Sequence, residues 1–164
     1  MISTARDVFV GLGSNLDGPA RQIETAFEFL EGVPESELLQ RSSLYRSAPL
    51  GGIEQPDFVN AVAAMSTTLT AGKFLEELQA IERLRGREDS HSRWGPRILD
   101  LDLLLYGDLT IDEPGLAVPH PGITVRNFVL LPLREIAPEF EIPGFGRVQD
   151  IVVNEDEPRI SRIA

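Results

Sequence analysis

Residues 93–107 read RWGPRILDLDLLLYG, and this stretch forms the centre of the predicted fold. Its second half, residues 98–106, is a run of branched and aromatic apolar side chains, which predicts a buried β-strand. Only Asp100 and Asp102 interrupt the run. Because strand side chains alternate between the two faces of a sheet, both carboxylates point the same way, with roughly 6–7 Å between their Cα atoms.

Two carboxylates on one face of a strand need a cation or firm hydrogen bonds, because aspartate is depleted in strands and an unpaired buried charge is costly. Their spacing suits one or two Mg²⁺ ions, which lie about 3.5–4 Å apart in two-metal sites. A strand with one wet face, burying Leu99, Leu101 and Leu103 on the other, explains the same pattern. Since D-x-D sequences are common, the spacing alone leaves both interpretations open.

The arginines upstream of this strand favour phosphate binding. Arginine binds phosphate oxygens in pairs, so arginines that lead into a carboxylate pair indicate a polyphosphate–Mg²⁺ site. Five arginines fall within residues 83–97: Arg83, Arg85, Arg87, Arg93 and Arg97. A solvated helix end, where cations favour the C-terminal dipole, explains Arg83 and Arg85 better than the others. Residues 86–94 have no periodicity, which predicts a loop that closes over a nucleotide.

Length and composition predict one soluble globular domain that covers residues 1–164, with 42% hydrophobic and 25% charged residues. The absence of cysteine excludes disulfides, thiolate metal sites and a cysteine nucleophile. No signal-like segment or apolar run of about 20 residues is present, so a cytoplasmic protein is expected. The net charge of −11 argues against nucleic acid or an anionic membrane as partner. We expect a monomer that binds small molecules.

The order of the predicted elements is βαββαβ. This order predicts an α+β, ferredoxin-like sandwich, an antiparallel sheet with helices packed on one face. The elements are a strand at 7–12, a helix that starts near Pro19 and stops at Gly32, strands at 38–48 and 58–69 around a loop at 49–56, a helix capped by Thr70 that ends at Gly86, and the strand at 98–106. C-terminal additions follow: a short return strand at 109–111, a helix at 126–136, a short strand or helix at 148–153, and fraying thereafter.

Several polar residues outside the strand at 98–106 are candidate ligand contacts. Asn60 lies among apolar neighbours, and its amide needs either a ligand or a backbone partner. Pro119 and Pro121 hold His120 in extended backbone, which suits a ligand contact, although a surface histidine is the simpler interpretation. Gln79 and Glu82 share one helix face, for which solvent exposure is the simplest interpretation.

Four blocks of sequence together resemble the 6-hydroxymethyl-7,8-dihydropterin pyrophosphokinases of folate biosynthesis. The blocks are GLGSNL at 11–16, YRSAPLGG-x-x-QPDFVNA at 45–61, RWGPR-x-LDLDLLLYG at 93–107, and VPHP-x-x-x-x-R-x-FVLLPL at 118–133. They run in the family's order over nearly the whole chain. The resemblance implies transfer of the terminal pyrophosphoryl group of ATP to the hydroxymethyl oxygen of the pterin, with release of AMP and participation of two Mg²⁺ ions.

The resemblance also implies a role for individual residues. Asp100 and Asp102 look like the Mg²⁺ ligands, and Arg87 and Arg97 align with arginines that act on the phosphates. The positions implied to bind ATP are Gln79, Glu82, Trp94, His120 and Arg126. The positions implied to bind the pterin are Gly13, Ser47, Pro49, Leu50, Phe58, Asn60 and Phe128. Among these, Asn60 would read the amide-like edge of the pterin, and Phe58 and Phe128 would stack on its two faces.

Some positions depart from the family's pattern. Asp89 stands where some members have a second loop arginine, Phe58 replaces a tyrosine, and Gly115 and Ala117 replace an arginine and a threonine near the ATP. Two other readings of the chain remain. A D-x-D metal-dependent nucleotidyl- or glycosyltransferase would use the aspartates without needing Asn60 between two aromatics. A ferredoxin-like RNA-binding module would need a basic sheet, and the charge of this chain has the opposite sign.

Overall fold

The computed structural model describes residues 4–49, 54–86, 98–156 and 158–163. Within these ranges the chain forms ten strands, three α-helices and one short 3-10 helix. Their bounds are β1 Arg6–Ser14, α1 Pro19–Glu31, β2 Ser36–Arg41, β3 Tyr45–Ser47, β4 Phe58–Thr67, α2 Ala71–Leu84, β5 Asp100–Tyr106, β6 Ile111–Glu113, β7 Leu116–Val118, α3 Asn127–Ile136, β8 Glu141–Ile142, β9 Gly146–Arg147, the 3-10 helix Val148–Asp150, and β10 Ile160–Arg162.

Six of the described strands form one antiparallel sheet in the order β10-β3-β4-β1-β5, with β2 also paired to β4. Strands β2 and β3 follow one another along the same edge of β4 and together take the place of one strand. With β2 and β3 counted as one, the connection order is βαββαβ. The predicted ferredoxin-like α+β fold is therefore confirmed.

The two central strands separate two apolar cores, because alternate side chains point to opposite faces. Helices α1 and α2 cover one face, as predicted, and α3 covers the other. The core under α1 and α2 includes Val8, Val10, Leu12, Ile23, Phe27, Phe74, Leu78, Leu101 and Leu103. The core under α3 includes Phe9, Val62, Leu104, Leu105, Val129 and Leu133. Since Leu101 and Leu103 face α1 and α2, Asp100 and Asp102 face the side of α3.

The helix starts follow the predicted local chemistry. Pro19 is the first residue of α1, after Gly18, which takes a φ of 75° that glycine adopts freely. Thr70 caps α2, and its side chain accepts a hydrogen bond from the Lys73 backbone N–H at 3.2 Å. No helix in the described ranges is long and apolar enough to cross a membrane.

The single strand predicted at 38–48 is wrong, because the chain breaks at Ser42 into β2 and β3. The Ser42 N–H donates to the carbonyl of Val62 at 2.9 Å, and its Oγ accepts from the Val62 N–H at the same distance. A side-chain oxygen thus replaces a backbone carbonyl in the ladder at this point. The return strand predicted at 109–111 begins later, as the hairpin of β6 and β7.

The predicted fraying after residue 153 is also wrong. Strand β10 pairs antiparallel with β3, with Ile160 opposite Ser47 and Arg162 opposite Tyr45. The composition of the acidic tail indicated solvation and gave no sign of this pairing.

Hydrogen bonds to Glu135 link helix α3 to the edge of the sheet. Its carboxylate accepts hydrogen bonds from the Tyr45 hydroxyl at 2.7 Å, from Ser43 Oγ at 2.9 Å and from the Ser43 N–H at 3.1 Å. Burial raises the pKa of Glu135, but these hydrogen bonds and the charge of Arg162 outweigh it and hold the pKa below its ordinary value. Burial and the bond to Glu135 raise the pKa of Tyr45 to about 12.

This arrangement predicts a loss of stability in acid. A carboxyl with a lower pKa in the folded state stabilises the fold above its unfolded-state pKa, and that stabilisation disappears as the pH falls through the folded-state pKa. We expect Glu135→Gln to lose less free energy of unfolding than the wild type between about pH 6 and about pH 3. Urea unfolding at both pH values measures this, with the exposed Glu139→Gln as control. Equal losses in Glu135→Gln and wild type would contradict the assignment.

Candidate active site

Strand β5 holds the two aspartates on the α3 side of the sheet, opposite glycines of β1. Asp100 pairs with Gly13 and Asp102 with Gly11, and both aspartates are half-buried. On the other face Leu101 and its neighbours Leu99 and Leu103 are at most 4% exposed. The predicted alternation is confirmed, and it places two carboxylates on one face at the start of one strand.

A row of residues runs across three strands from these carboxylates to a buried amide. Asp100, Gly13 and Asn60 are direct register partners on β5, β1 and β4, so they lie on the same face. Two strand spacings separate the ends of this row, which places the Cα atoms of Asp100 and Asn60 about 10 Å apart. Because Gly11 and Gly13 carry no side chains, the floor between the carboxylates and the amide is backbone alone.

The amide of Asn60 is held in a fixed orientation. Asn60 is 4% exposed, and its Nδ2 donates to Ser47 Oγ at 2.7 Å. Its Oδ1 lies above Gly13, where an added Cβ would be 3.5 Å away. Phe58 lies two residues earlier on β4, on the same face and opposite Ser47, and is half-buried. These contacts bring four of the predicted pterin residues together at one end of the sheet, namely Gly13, Ser47, Phe58 and Asn60.

His120 is held by one hydrogen bond from its backbone to β5 and by another to its ring. Its N–H donates to the carbonyl of Leu104 at 2.9 Å, and its Nδ1 accepts from the Gly122 N–H at 3.0 Å. Burial lowers the pKa of His120, and the nearby charge of Arg126 lowers it further, while the Asp102 carboxylate raises it, with a net shift downward. Because Nδ1 accepts the Gly122 N–H, the neutral imidazole carries its proton on Nε2, which is a hydrogen-bond donor.

Arg126 and Phe128 lie together at the start of α3. The Arg126 guanidinium is 5.9 Å from the centroid of the Phe128 ring, a cation–π contact. Arg126 also packs directly on Gly122, where an added Cβ would come within 2.5 Å of the arginine Nε. Glycine at position 122 thus gives the arginine its place beside His120. The charge of Arg126 lowers the pKa of that histidine, which places both groups in one electrostatic environment.

The two polar residues predicted on one face of α2 differ in their surroundings. Gln79 is exposed, as its simplest interpretation predicts. Glu82 is 4% exposed, and its Oε2 accepts a hydrogen bond from the Leu101 N–H at 2.8 Å. The interpretation of Glu82 as part of a solvated face is wrong. Its carboxylate instead holds the backbone of β5 at the residue between the two aspartates.

This contact predicts a coupled loss of stability and activity in Glu82→Ala. The Leu101 N–H would be left buried without its acceptor, so we expect the free energy of unfolding to fall by about 1.5–3 kcal/mol. We also expect kcat to fall, since the aspartates on either side of Leu101 lose their fixed backbone. Chemical denaturation and steady-state kinetics measure the two effects. Glu76→Ala, whose side chain is 67% exposed on the same helix, is the matched control; similar results for both variants would contradict the assignment.

Some predicted site residues lie outside the described ranges, namely Leu50, Arg87, Trp94 and Arg97, together with Asp89 and the predicted loop beyond Gly86. Pro49 is half-buried just after β3. Gly115 forms the turn between β6 and β7 with a φ of 79°, a conformation that glycine adopts freely, and Ala117 lies on β7 opposite Asp112.

Asn15 supports the site and was missed by sequence reasoning. It is 2% exposed, and its Nδ2 donates to Gln55 Oε1 at 2.8 Å and to the carbonyl of Pro56 at 3.0 Å. The bonds fasten the segment before Phe58 to the end of β1. An asparagine directly after a buried strand, within the GLGSNL block, was the signal that could have identified it.

The sequence profile of 7,8-dihydro-6-hydroxymethylpterin-pyrophosphokinase (HPPK) matches residues 9–138 of the chain. The chain belongs to this family. Among curated HPPK relatives, the 2-amino-4-hydroxy-6-hydroxymethyldihydropteridine pyrophosphokinase of Pseudomonas aeruginosa is 49% identical over 145 residues, which cover 88% of this chain and 89% of that protein. The enzyme of the same name from Haemophilus influenzae is 42% identical over 144 residues, covering 88% and 89%.

Solved structures support the HPPK fold. The crystal structure of wild-type Plasmodium falciparum HPPK-DHPS matches with a TM-score of 0.70 at 15% sequence identity, over 91% of this chain. This chain spans 44% of the length of that Plasmodium chain. At this identity the likeness establishes the shared architecture of the sheet and helices.

Proposed function

We propose how the residues of this site divide the work of the family's reaction. As a member of the family, the chain transfers pyrophosphate from ATP to the hydroxymethyl group of 6-hydroxymethyl-7,8-dihydropterin, a step of folate biosynthesis. The observation that carries the assignment of roles is the row of Asp100, Gly13 and Asn60 across the sheet. This row places the carboxylate pair and the buried amide on one face of the sheet, with only glycine backbone between them.

The carboxylate pair fits Mg²⁺, and we propose that Asp100 and Asp102 hold two ions. Mg²⁺ prefers oxygen ligands and is usually bound by one or two carboxylates together with water and substrate phosphates. The donor set agrees with this, because the two half-buried carboxylates on one face of β5 supply oxygen ligands and leave further positions for water and phosphate oxygens. When bound, the ions neutralise the triphosphate and lower the proton affinity of the attacking hydroxyl.

His120 and Arg126 are proposed to bind the phosphates of ATP. The imidazole presents its Nε2–H as a donor, and the nearby guanidinium of Arg126 supplies positive charge. Arg87, Arg97 and Trp94 are proposed to contact ATP from the segment that precedes β5, and Gln79 from the exposed face of α2. Glu82 contributes by fixing the backbone of β5 as well as through its predicted place near the adenine.

The pterin is proposed to lie over the glycine floor between Phe58 and Phe128. Both rings are half-buried on the α3 side, so each offers a face to a flat heterocycle. Asn60, oriented by Ser47, reads the amide-like edge of the ring. The backbone around Pro49 and Leu50 closes the remaining side, and Gly13 lies beneath. This placement directs the hydroxymethyl group toward the carboxylates.

The chemistry follows from the positions of these groups. The oxygen of the pterin hydroxymethyl group bonds to the β-phosphorus of ATP as the bond from that phosphorus to the oxygen bridging the α-phosphorus breaks. AMP leaves with the bridging oxygen, and the hydroxyl proton is released to solvent. Positioning and electrostatic stabilisation supply the rate, with no covalent enzyme intermediate. The side chains of the described site hold the two substrates in this alignment and keep their charges paired.

Product analysis after mixing the protein with Mg²⁺, ATP and 6-hydroxymethyl-7,8-dihydropterin tests the proposal. We expect AMP and pterin diphosphate in equal amounts. ADP with pterin monophosphate would indicate a single phosphoryl transfer instead. Release of free pyrophosphate with a nucleotidylated acceptor would indicate a D-x-D nucleotidyltransferase and overturn the proposal.

We further propose that the enzyme acts as a monomer in the cytoplasm. The site is built from strands and helices of one chain, and the roles proposed above need no second copy. Light scattering of the purified protein checks the mass, and a dimer at assay concentration would contradict it.

A further inference from the structure

The C-terminal tail, defined as residues 154–156 and 158–163, lies beyond the residues matched by the family profile, which ends at residue 138. Most of its described residues are exposed and Pro158 alone among them is buried, so packing energy alone does not explain its order. The tail is nevertheless tied to the sheet and to α3 by specific hydrogen bonds. These bonds reach two elements that carry proposed pterin contacts.

The first tie is made by Asn127, the first residue of α3. Asn127 is 2% exposed, and its Nδ2 donates to the carbonyls of Asn154 at 2.6 Å and Pro158 at 2.7 Å. Its buried Oδ1 accepts no hydrogen bond from a described residue. A buried acceptor without a hydrogen bond is costly. The favourable contribution of this side chain to stability therefore comes from the two bonds that its Nδ2 donates to the tail. The next residue along the helix is Phe128.

The second tie is made by β10. The Ala48 N–H donates to the carbonyl of Arg159 at 3.0 Å, and the Ile163 N–H donates to the carbonyl of Leu44 at 2.9 Å. These bonds flank the pairing of β10 with β3, in which Ile160 lies opposite Ser47. Strand β3 is only three residues long and would otherwise form a free edge. Ser47 is the residue that orients the amide of Asn60.

We infer that the C-terminal tail is a positioning element for the pterin: it sets the distance between Phe128 on α3 and the Ser47–Asn60 pair on the sheet. The inference rests on the pterin site proposed above. Asn127 is the positioning residue on the helix side, and β10 is the positioning strand on the sheet side. Asn127 directly follows Arg126 in the chain, but the hydrogen bonds that join Asn127 and β3 to the tail do not involve the side chain of His120 or Arg126. We therefore expect the larger effect on the pterin.

Two variants remove the ties independently. Asn127→Ala removes both bonds to the tail, and truncation after Val153 removes the tail itself. We expect each to raise the KM for the pterin about 10- to 100-fold, since a displacement of about 1 Å at a site can cost two orders of magnitude. We expect the KM for ATP to change less than about 3-fold, because His120 is held by Leu104 and Gly122 and Arg126 packs on Gly122, contacts that do not involve the tail. Gln149→Ala, which removes an exposed amide outside the tail, is the matched control and leaves both KM values unchanged.

Direct measurement of pterin binding distinguishes a failure of this inference from a failure of the proposed function. Titration calorimetry of 6-hydroxymethylpterin, with Mg²⁺ and α,β-methylene-ATP present, is run below the melting temperature of every variant. Selective weakening of pterin binding in Asn127→Ala supports the inference even if turnover is absent. Unchanged pterin binding in a folded Asn127→Ala, or equal losses for pterin and nucleotide, overturns it. If the truncated chain does not fold, Asn127→Ala and Asn127→Asp decide the outcome.

Discussion

Replacing Asp102 by asparagine is expected to lower kcat by about 1,000-fold or more while the protein stays folded. The substitution keeps the shape of the side chain and removes one of the two carboxylates on the α3 side of β5, which are proposed to hold Mg²⁺. A metal ion contributes several kcal/mol of charge stabilisation to such a transfer, and each 1.4 kcal/mol is a factor of ten in rate. Asp102 is half-buried, and its loss relieves a charge near Asp100, so unfolding should be little affected. Formation of AMP over time at several Mg²⁺ concentrations measures the effect.

The matched control for this variant is Asp108→Asn. Asp108 follows the same strand by two residues, but its side chain is 91% exposed and makes one long ion pair with Arg6 at 3.8 Å. Such an exposed pair contributes little to stability, so we expect normal activity. If Asp102→Asn kept wild-type kcat and the same Mg²⁺ dependence, the assignment of the carboxylate pair would be wrong.

Replacing Asn60 by alanine is expected to raise the KM for the pterin about 100-fold with a small change in the KM for ATP. The variant removes a buried amide whose orientation is set by Ser47, and a site built to hydrogen-bond a substrate loses about 1–3 kcal/mol per partner. The free energy of unfolding should fall by about 1 kcal/mol, because Ser47 Oγ loses its donor. Steady-state kinetics with each substrate varied in turn give the two KM values.

A double-mutant cycle sharpens this result. Ser47→Ala should raise the pterin KM less than Asn60→Ala does, because the amide remains but is no longer held. The double variant should then resemble Asn60→Ala alone, since the hydroxyl acts only through the amide. Additive effects of the two substitutions, or an equal rise in the KM for ATP, would contradict the proposed reading of the pterin edge by Asn60.

The fold and the centre of the site were predictable because they depend on local periodicity. The alternation around Asp100 and Asp102 fixed which face carries the carboxylates, and the order of strands and helices fixed the sheet. The break of the predicted strand at 38–48 was not predictable, because it depends on Ser42 pairing with Val62 on another strand. Side-chain substitution of a backbone bond leaves no periodic signal in the sequence.

The supporting contacts of the site were beyond sequence reasoning for the same physical reason. Glu82 has the pattern of a solvated helix residue, and only the approach of β5 places the Leu101 N–H against it. Asn127 lies 27 and 31 residues before its two partners in the tail, and no apolar periodicity along the chain indicates that these segments meet. Polar contacts between distant segments form only when the fold brings those segments together, so they leave no local pattern in the sequence. Apolar periodicity, by contrast, is visible within a single segment.

The backbone floor of Gly11 and Gly13 has a consequence for which molecules this enzyme can use. The rigid spacing of hydrogen-bonded strands determines how far the reading amide lies from the carboxylates. On the proposed placement, a bicyclic ring that hydrogen-bonds to Asn60 at one end brings its hydroxyl oxygen to the carboxylates only if the correct number of bonds joins that hydroxyl to the ring. The sheet thus selects substrates by length. On the pterin placement proposed above, we expect compounds that match the ring but carry their hydroxyl one carbon nearer or farther, a step of about 1.5 Å, to bind without reacting.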